Sequence, residues 1–256
     1  MCIRDSPNDV GVKIRFAGLL KDLGIYDESA RYFEMLETAG ALKPEQAMDY
    51  AEVLSELGRR DKAMGHVDAI LASDPMSLRA SVLRGHLNTE RGEYKKASDD
   101  LKRALKIQED SASALYHVGL NELAQKRVEE AITYLTRANS VEGDNLKIRD
   151  ALARAYTMSG TSENQRAALA QYSFIVEQYE GFTSARDRKQ IDPDVYLRRG
   201  RLFFKLSQHK KALKDFESAM VLEPDRKDLL IQFAKTLQKT GKDKDCLLYT
   251  SDAADE

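Results

Sequence analysis

Tryptophan is absent from the 256 residues, cysteine occurs twice, proline five times and histidine four times. The cysteines, Cys2 and Cys246, stand at opposite ends, so a disulfide framework or a cysteine–zinc site has too few ligands to build on. His66, His86, His117 and His209 are scattered without ligand spacing, and a metal centre needs a clustered pair plus carboxylates. No apolar run approaches the ~18 residues of a membrane span. A glycine-rich phosphate loop and a Gly-x-Ser-x-Gly elbow are both missing. Carboxylates are plentiful, but Asp99-Asp100 and Glu129-Glu130 sit beside Lys95-Lys96 and Lys126-Arg127, as on a solvated helix face. The residues thus offer no catalytic, cofactor-binding or metal-ligating constellation, and an enzyme is not expected. The formal net charge is -2, which gives no argument for nucleic acid as a partner.

The two ends read unlike the rest. Taken back to codons, "CLLYTSDAADE" (246–256) resembles a transposase end with its sequencing adapter, and "MCIRDS" (1–6) resembles the reverse complement of that end. The expectation is that natural coding sequence runs from Pro7 to Asp245, a metagenomic fragment open at both ends. Setting the ends aside removes both cysteines and leaves the remainder nearly neutral. The sequence assigns no compartment.

What is present is self-similarity. Aligning 84–105 with 118–139 places Gly85 on Gly119, Ala97 on Ala131, Leu101 on Leu135 and Ala104 on Ala138. One period earlier the columns hold Ala51, Ala63, Val67 and Ile70, and before that Ala17, Ser29, Phe33 and Leu36. Later, Gly200, Ala212, Phe216 and Ala219 repeat the pattern. The units are 10–43, 44–77, 78–111, 112–145, 146–192, 193–226 and a truncated 227–245. Apolar residues recur at helical spacing twice per unit. Gly24, Gly58, Gly92, Gly160 and Gly241 fall where the first helices should stop, and Pro75 and Pro224 fall between units. Small residues at Gly85 or Ala97 let two helices approach, and Phe33, Leu101 or Phe216 fills the groove opposite.

"GEYKKASDDLKRAL" and "KALKDFESAMVLEP" resemble the tetratricopeptide repeat family, with its small residue in the first helix, Gly-x-Tyr turn, A-x3-F-x2-A and late proline. The resemblance covers about 10–245. It implies an all-α fold, a right-handed α-solenoid of stacked helix-turn-helix units. The fifth unit departs from the pattern. Ala170 stands ten residues after Gly160, so "TSENQ" reads as a longer inner turn and "GFTSARDRKQID" as a longer exit.

In that family the first helices line a concave groove. Carried over position by position, the groove here takes His86, Tyr116, Leu120 and Leu123 from the third and fourth units. The later units supply Lys147, Arg154, Leu197, Arg201, Phe204 and Lys235. Glu45, Glu52 and Glu56 make its start acidic, and some of the apolar residues are equally expected to pack between units. The family's clamp for chaperone C-terminal carboxylates needs a Lys/Asn pair one turn apart. Ile14/Gly18, Met48/Glu52, Val82/His86 and Tyr116/Leu120 occupy those places, so the clamp does not carry over. The expected function is a non-catalytic scaffold that binds a protein or peptide segment in the groove. The alternative is a regulatory or docking domain of a larger enzyme or signalling protein. RNA binding would need a continuous basic stripe, which the acidic start interrupts. Self-association through the truncated last unit is expected as well.

Overall fold

The computed structural model describes residues 10–180 and 192–241. The terminal stretches 1–6 and 246–256, and nearly all of "GFTSARDRKQID", lie outside the described residues. Among the described residues there are thirteen α-helices and no strand. Two compact units divide the chain after Lys126.

The first unit holds α1 (Val10–Asp22), α2 (Tyr26–Thr38), α3 (Pro44–Glu56), α4 (Arg60–Ser73), α5 (Leu78–Glu90), α6 (Tyr94–Ile107) and α7 (Ala112–Ala124). The second holds α8 (Val128–Val141), α9 (Leu146–Ser159), α10 (Ser162–Glu180), α11 (Pro193–Lys205), α12 (His209–Leu222) and α13 (Lys227–Lys239). Helices pack as antiparallel pairs, α1 on α2, α3 on α4, α5 on α6, α9 on α10 and α11 on α12.

The repeated small and large columns are the core. Ala17, Ala51, Ala63, Ala97, Ala131 and Ala212 have no exposed surface, and Phe33, Leu101, Leu135 and Phe216 are all but fully buried. Burying each large side chain contributes roughly 1.5–3 kcal/mol. A Cβ on Gly85 would lie 2.6 Å from Leu101 Cγ, so the small column does set how closely two helices approach.

The helix-to-helix turns are equally determined by backbone chemistry. Gly24 has φ +73°, the left-handed conformation that costs glycine nothing. Its N–H donates to Lys21 O at 2.9 Å, and Ile25 N–H donates to Leu20 O at 2.8 Å. This pair of bonds uses the carbonyls left over at the helix end. Gly58, Gly92, Gly160 and Gly241 share the conformation, while Lys126 (φ 61°) and Ser207 (φ 59°) adopt it without being glycine. Ser77, Ser111, Asn145 and Asp192 each accept an N–H at the start of a first helix, offsetting the orphan donors there.

Two expectations need correction. "TSENQ" does not lengthen a turn: α10 begins at Ser162 and runs for 19 residues, against 13 or 14 elsewhere. The insertion is added helix, and the phase counted from Ser162 turns Ala168 inward (0% exposed) and leaves Ala170 exposed. Tyr172 and Ile175 then take the large and small places in the columns. Asp100, read as solvated, is 5% exposed. Arg84 donates to its two oxygens at 3.0 and 2.7 Å, and Asn88 Nδ2 donates at 3.1 Å.

Candidate functional site: the inner faces of the first helices

In the first unit, α1, α3 and α5 are stitched by one ion cluster. Lys21 Nζ donates to Asp49 Oδ1 at 2.6 Å and to Glu52 Oε2 at 3.2 Å. Arg79 Nη2 reaches Asp49 Oδ1 and Glu52 Oε1, both at 2.8 Å. Burial alone would raise the Asp49 carboxyl, but the hydrogen bonds from Lys21 and Arg79 outweigh it and hold the group below the ordinary carboxylate range. The acidic start expected of this face is therefore internally neutralised at Glu52, because cations from the flanking helices enclose it. Further along, the His86 and His117 rings lie tilted to one another at a centroid distance of 4.8 Å, and Tyr116 meets the His117 ring edge-on at 5.0 Å. Tyr116, Leu120 and Leu123 are half-buried.

In the second unit, three successive first helices, α9, α11 and α13, are joined by a ladder of arginines and aspartates. Asp150 Oδ2 lies 3.1 Å from Arg154 Nε, and its Oδ1 accepts from Arg198 Nη1 at 2.9 Å. Arg198 Nη2 continues to Asp194 at 2.6 Å. Arg226 Nη1 pairs with Asp194 at 2.5 Å, and Arg226 Nε donates to Asp228 at 2.8 Å. Arg201 Nη2 closes the series on Asp228 Oδ2 at 3.0 Å. Hydrogen bonds to Arg226 hold Asp228 below the usual carboxylate range. Beside the ladder the Tyr172 side chain is fully buried, and burial pushes the ionisation of its hydroxyl up.

The structure separates the expected groove residues. Arg154 and Arg201 keep about two fifths of their side chains exposed, 41% and 42%, and Lys147 and Lys235 are exposed. Phe204 is half-buried, its ring 5.1 Å from that of His209. Leu197 is not on an open surface: it is 2% exposed and belongs to the core. Met48 (4%) and Val82 (6%), at the same place in their units, are buried too. In these three units that place packs into the core and contributes stability instead of a binding surface. Unit-by-unit reading missed Asp150, Arg198, Arg226 and Asp228. Their signal was charge of opposite sign recurring on successive first helices, legible only once those helices are set side by side.

Among the described residues no helix is long and apolar enough to cross a membrane, and no group of three His, Cys, Asp or Glu is placed to hold a metal ion.

The comparisons with known proteins agree with this architecture. Residues 42–138 match the family model of anaphase-promoting complex, cyclosome, subunit 3, and residues 193–226 match the tetratricopeptide repeat model. The chain is 24% identical over 199 residues to DnaJ protein P58IPK homolog B of Oryza sativa subsp. japonica, across 73% of this chain and 40% of the relative. It is 22% identical over 209 residues to anaphase-promoting complex subunit 3 of Schizosaccharomyces pombe, across 82% of this chain and 29% of that protein. It therefore spans less than half the length of either relative. Among solved structures, a tetratricopeptide repeat protein from Parabacteroides merdae aligns with a TM-score of 0.64 at 17% identity, over 92% of this chain and 88% of that one. The APC/C hetero-tetramer Cut9-Hcn1 aligns at 0.70 and 12% identity, over 93% and 45%. YrrB, described as a TPR protein with an unusual peptide-binding site, aligns at 0.54 and 20% identity, over 78% and 97%. Residues 193–226 are similar to a tetratricopeptide repeat, and the fold class of the chain is the all-α solenoid of its structural neighbours.

Proposed function

We propose that the chain is a non-catalytic scaffold that captures a peptide or protein segment along the inner faces of its first helices. The observation that carries this reading is the surface of α11. Arg201 is 42% exposed, and Phe204, nearly one turn on, is half-buried, packed against the core with part of its surface left open. An aromatic and a guanidinium held on a rigid backbone are the commonest anchors of protein interfaces. The ladder fixes the neighbouring helices, so little ordering cost remains at binding. The unusual peptide-binding site of YrrB supports the same use of this fold.

A second reading, a docking domain of a longer protein, draws support from the relatives, of which the chain spans 40% and 29%. Both readings require a protein partner. A peptide-display library panned on the purified chain tests them together. Enriched peptides that slow hydrogen exchange in α9, α11 and α13 agree with the proposal. A library that yields no enriched sequence, or peptides that protect α10 and α12 instead, overturns it.

A further inference from the structure

One column of the repeat is closed in every first helix but α1. Two residues after the small column stand Val53, Leu87, Asn121, Ala155, Leu202 and Thr236, and none of the six is more than 1% exposed. Each of their helices packs against the second helix that precedes it. Leu19 holds the same place in α1 and is 53% exposed, and Leu23, one turn on, is 64% exposed. Lys21 points to α3, where it bonds Asp49 and Glu52. Leu19 is rotated from it by about 200°, to the far side of α1.

The junction of α2 with α3 shows what that side lacks. Phe33 of α2 stacks on Tyr50 of α3 at 5.5 Å, Tyr50 meets His66 of α4 at 5.1 Å, and Tyr50 is fully buried. Phe16 and Tyr32, each 34 residues earlier, make the counterpart pair at 4.9 Å. Among the described residues no side chain takes the place of Phe33 on Phe16, which keeps part of its surface open. Phe16, Leu19 and Leu23 form one stripe at helical spacing, and Met35, one turn from Tyr32, is an exposed apolar neighbour.

Charge gives the face a direction. Lys13 and Arg15 flank the stripe towards the start of α1, and Asp22 flanks it at the end. Glu28 stands beside Asp22's end of the face, in the first turn of the antiparallel α2. None of the four has a hydrogen-bond or ion-pair partner among the described residues. A helix carries partial positive charge at its N-terminus and negative at its C-terminus. The face therefore complements a helix that runs antiparallel to α1.

We propose that this face docks an amphipathic helix of a partner protein, antiparallel to α1, at a site separate from the inner faces of the first helices. Such a helix sets a large apolar side chain against Phe16 and Leu19, with basic residues in its first turn and a carboxylate after its last. The sequence of α12 has that chemistry: Lys210 and Lys211 at the start, Phe216 at the place of Phe33, and Glu223 just past the end. In the folded chain Phe216 is fully buried, so a second copy has no free α12 to lend.

The test uses the whole chain and a fluorescent peptide of residues 207–224, followed by anisotropy. Binding is expected, with slowed hydrogen exchange in α1 and α2 and none in α13. A peptide carrying Phe216→Ser should bind about tenfold more weakly, and so should the wild-type peptide to a Leu19→Lys chain. Leu19 is exposed, so that chain should keep its helicity. A chain with Asp22→Lys/Glu28→Lys should prefer a peptide with Lys210→Glu/Lys211→Glu, reversing the wild-type order. Absence of binding, equal affinity for the Phe216→Ser peptide, an unreversed order, or a loss caused by Ile231→Lys and not by Leu19→Lys overturns the proposal. Without peptide, a mass by light scattering that falls on Leu19→Lys would give the face to a second copy and overturn it as well.

Discussion

Gly200 on α11 stands so close to Phe216 on α12 that a Cβ built on it would lie 2.6 Å from Phe216 Cε1. Gly85 and Leu101 repeat the relationship at 2.6 Å one compact unit earlier. Gly200→Ala should therefore overpack the helix pair and destabilise it by about 1–3 kcal/mol, even though alanine is the better helix former. Gly18 and Gly65 also lie inside helices, with nothing within 4 Å of a built Cβ. There the same substitution should stabilise by about 0.5–1 kcal/mol. Urea midpoints of the three variants check the opposite signs. Destabilisation by Gly18→Ala as large as by Gly200→Ala would contradict the account of the small column.

Asp215 and Arg199 form the counterpart in α12 and α11 of the Asp100–Arg84 pair. Arg199 donates to both Asp215 oxygens, at 2.8 and 2.6 Å, and the aspartate side chain is 3% exposed. Removing one member strands a buried charge. Asp215→Ala should cost about 3–5 kcal/mol, and the double change Arg199→Met/Asp215→Leu much less. Thermal unfolding of the single and double variants decides it: equal losses would mean that the pair matters by packing and not by charge.

How much of this was legible in the sequence depends on which interaction is asked about. The buried columns, the turn glycines and the inter-unit prolines follow from local periodicity, and a single chain displays that directly. Asp100 did not, since its neighbours Lys95, Lys96 and Asp99 signal a solvated face. The arginine that buries it, Arg84, is sixteen residues away on the other helix. Yet Asp215 and Arg199 recur at the same offset, so comparing units by charge would have exposed the pair. Counting the inserted residues as turn puts Ala170 in the small column, where the fold has Ala168. Those residues are helix, and an added near-turn preserves the rotational phase. On the inner face, exposure is set by the neighbouring helices, which is why Leu197 and Phe204 read alike and differ in the fold.

His66 makes the first unit sensitive to acid. Burial, set against the nearby Glu37, leaves its imidazole with a pKa below the ordinary value. Its Nε2 lies 3.1 Å from Glu37 Oε1 on α2, Lys62 flanks it on α4, and the Tyr50 ring of α3 is at 5.1 Å. With the folded value depressed, the unfolded chain binds the proton first. The stability due to neutral His66 is then fully present above about pH 6.5 and is lost as pH falls below it. Urea midpoints at pH 7.5 and 5.5 should fall on acidification, and less so in His66→Gln. An equal fall in the variant would assign the effect elsewhere.

Ile231 on α13 is 52% exposed, whereas Phe233 and Leu237 on the same helix are 4% and 3% exposed. Covering Ile231 with a second copy would remove its apolar surface from water, at roughly 25 cal/mol per Å². The mass measured by light scattering is expected to rise with concentration, and Ile231→Lys to hold it at the monomer value. A concentration-independent monomer mass for the wild type would dismiss self-association through α13.

The central claim is that a protein segment binds across α11, and calorimetric titration of a display-selected peptide tests it most directly. Phe204→Ala and Arg201→Glu should each weaken binding by more than about 1 kcal/mol, with helicity retained. Unchanged affinity in both variants would contradict the account.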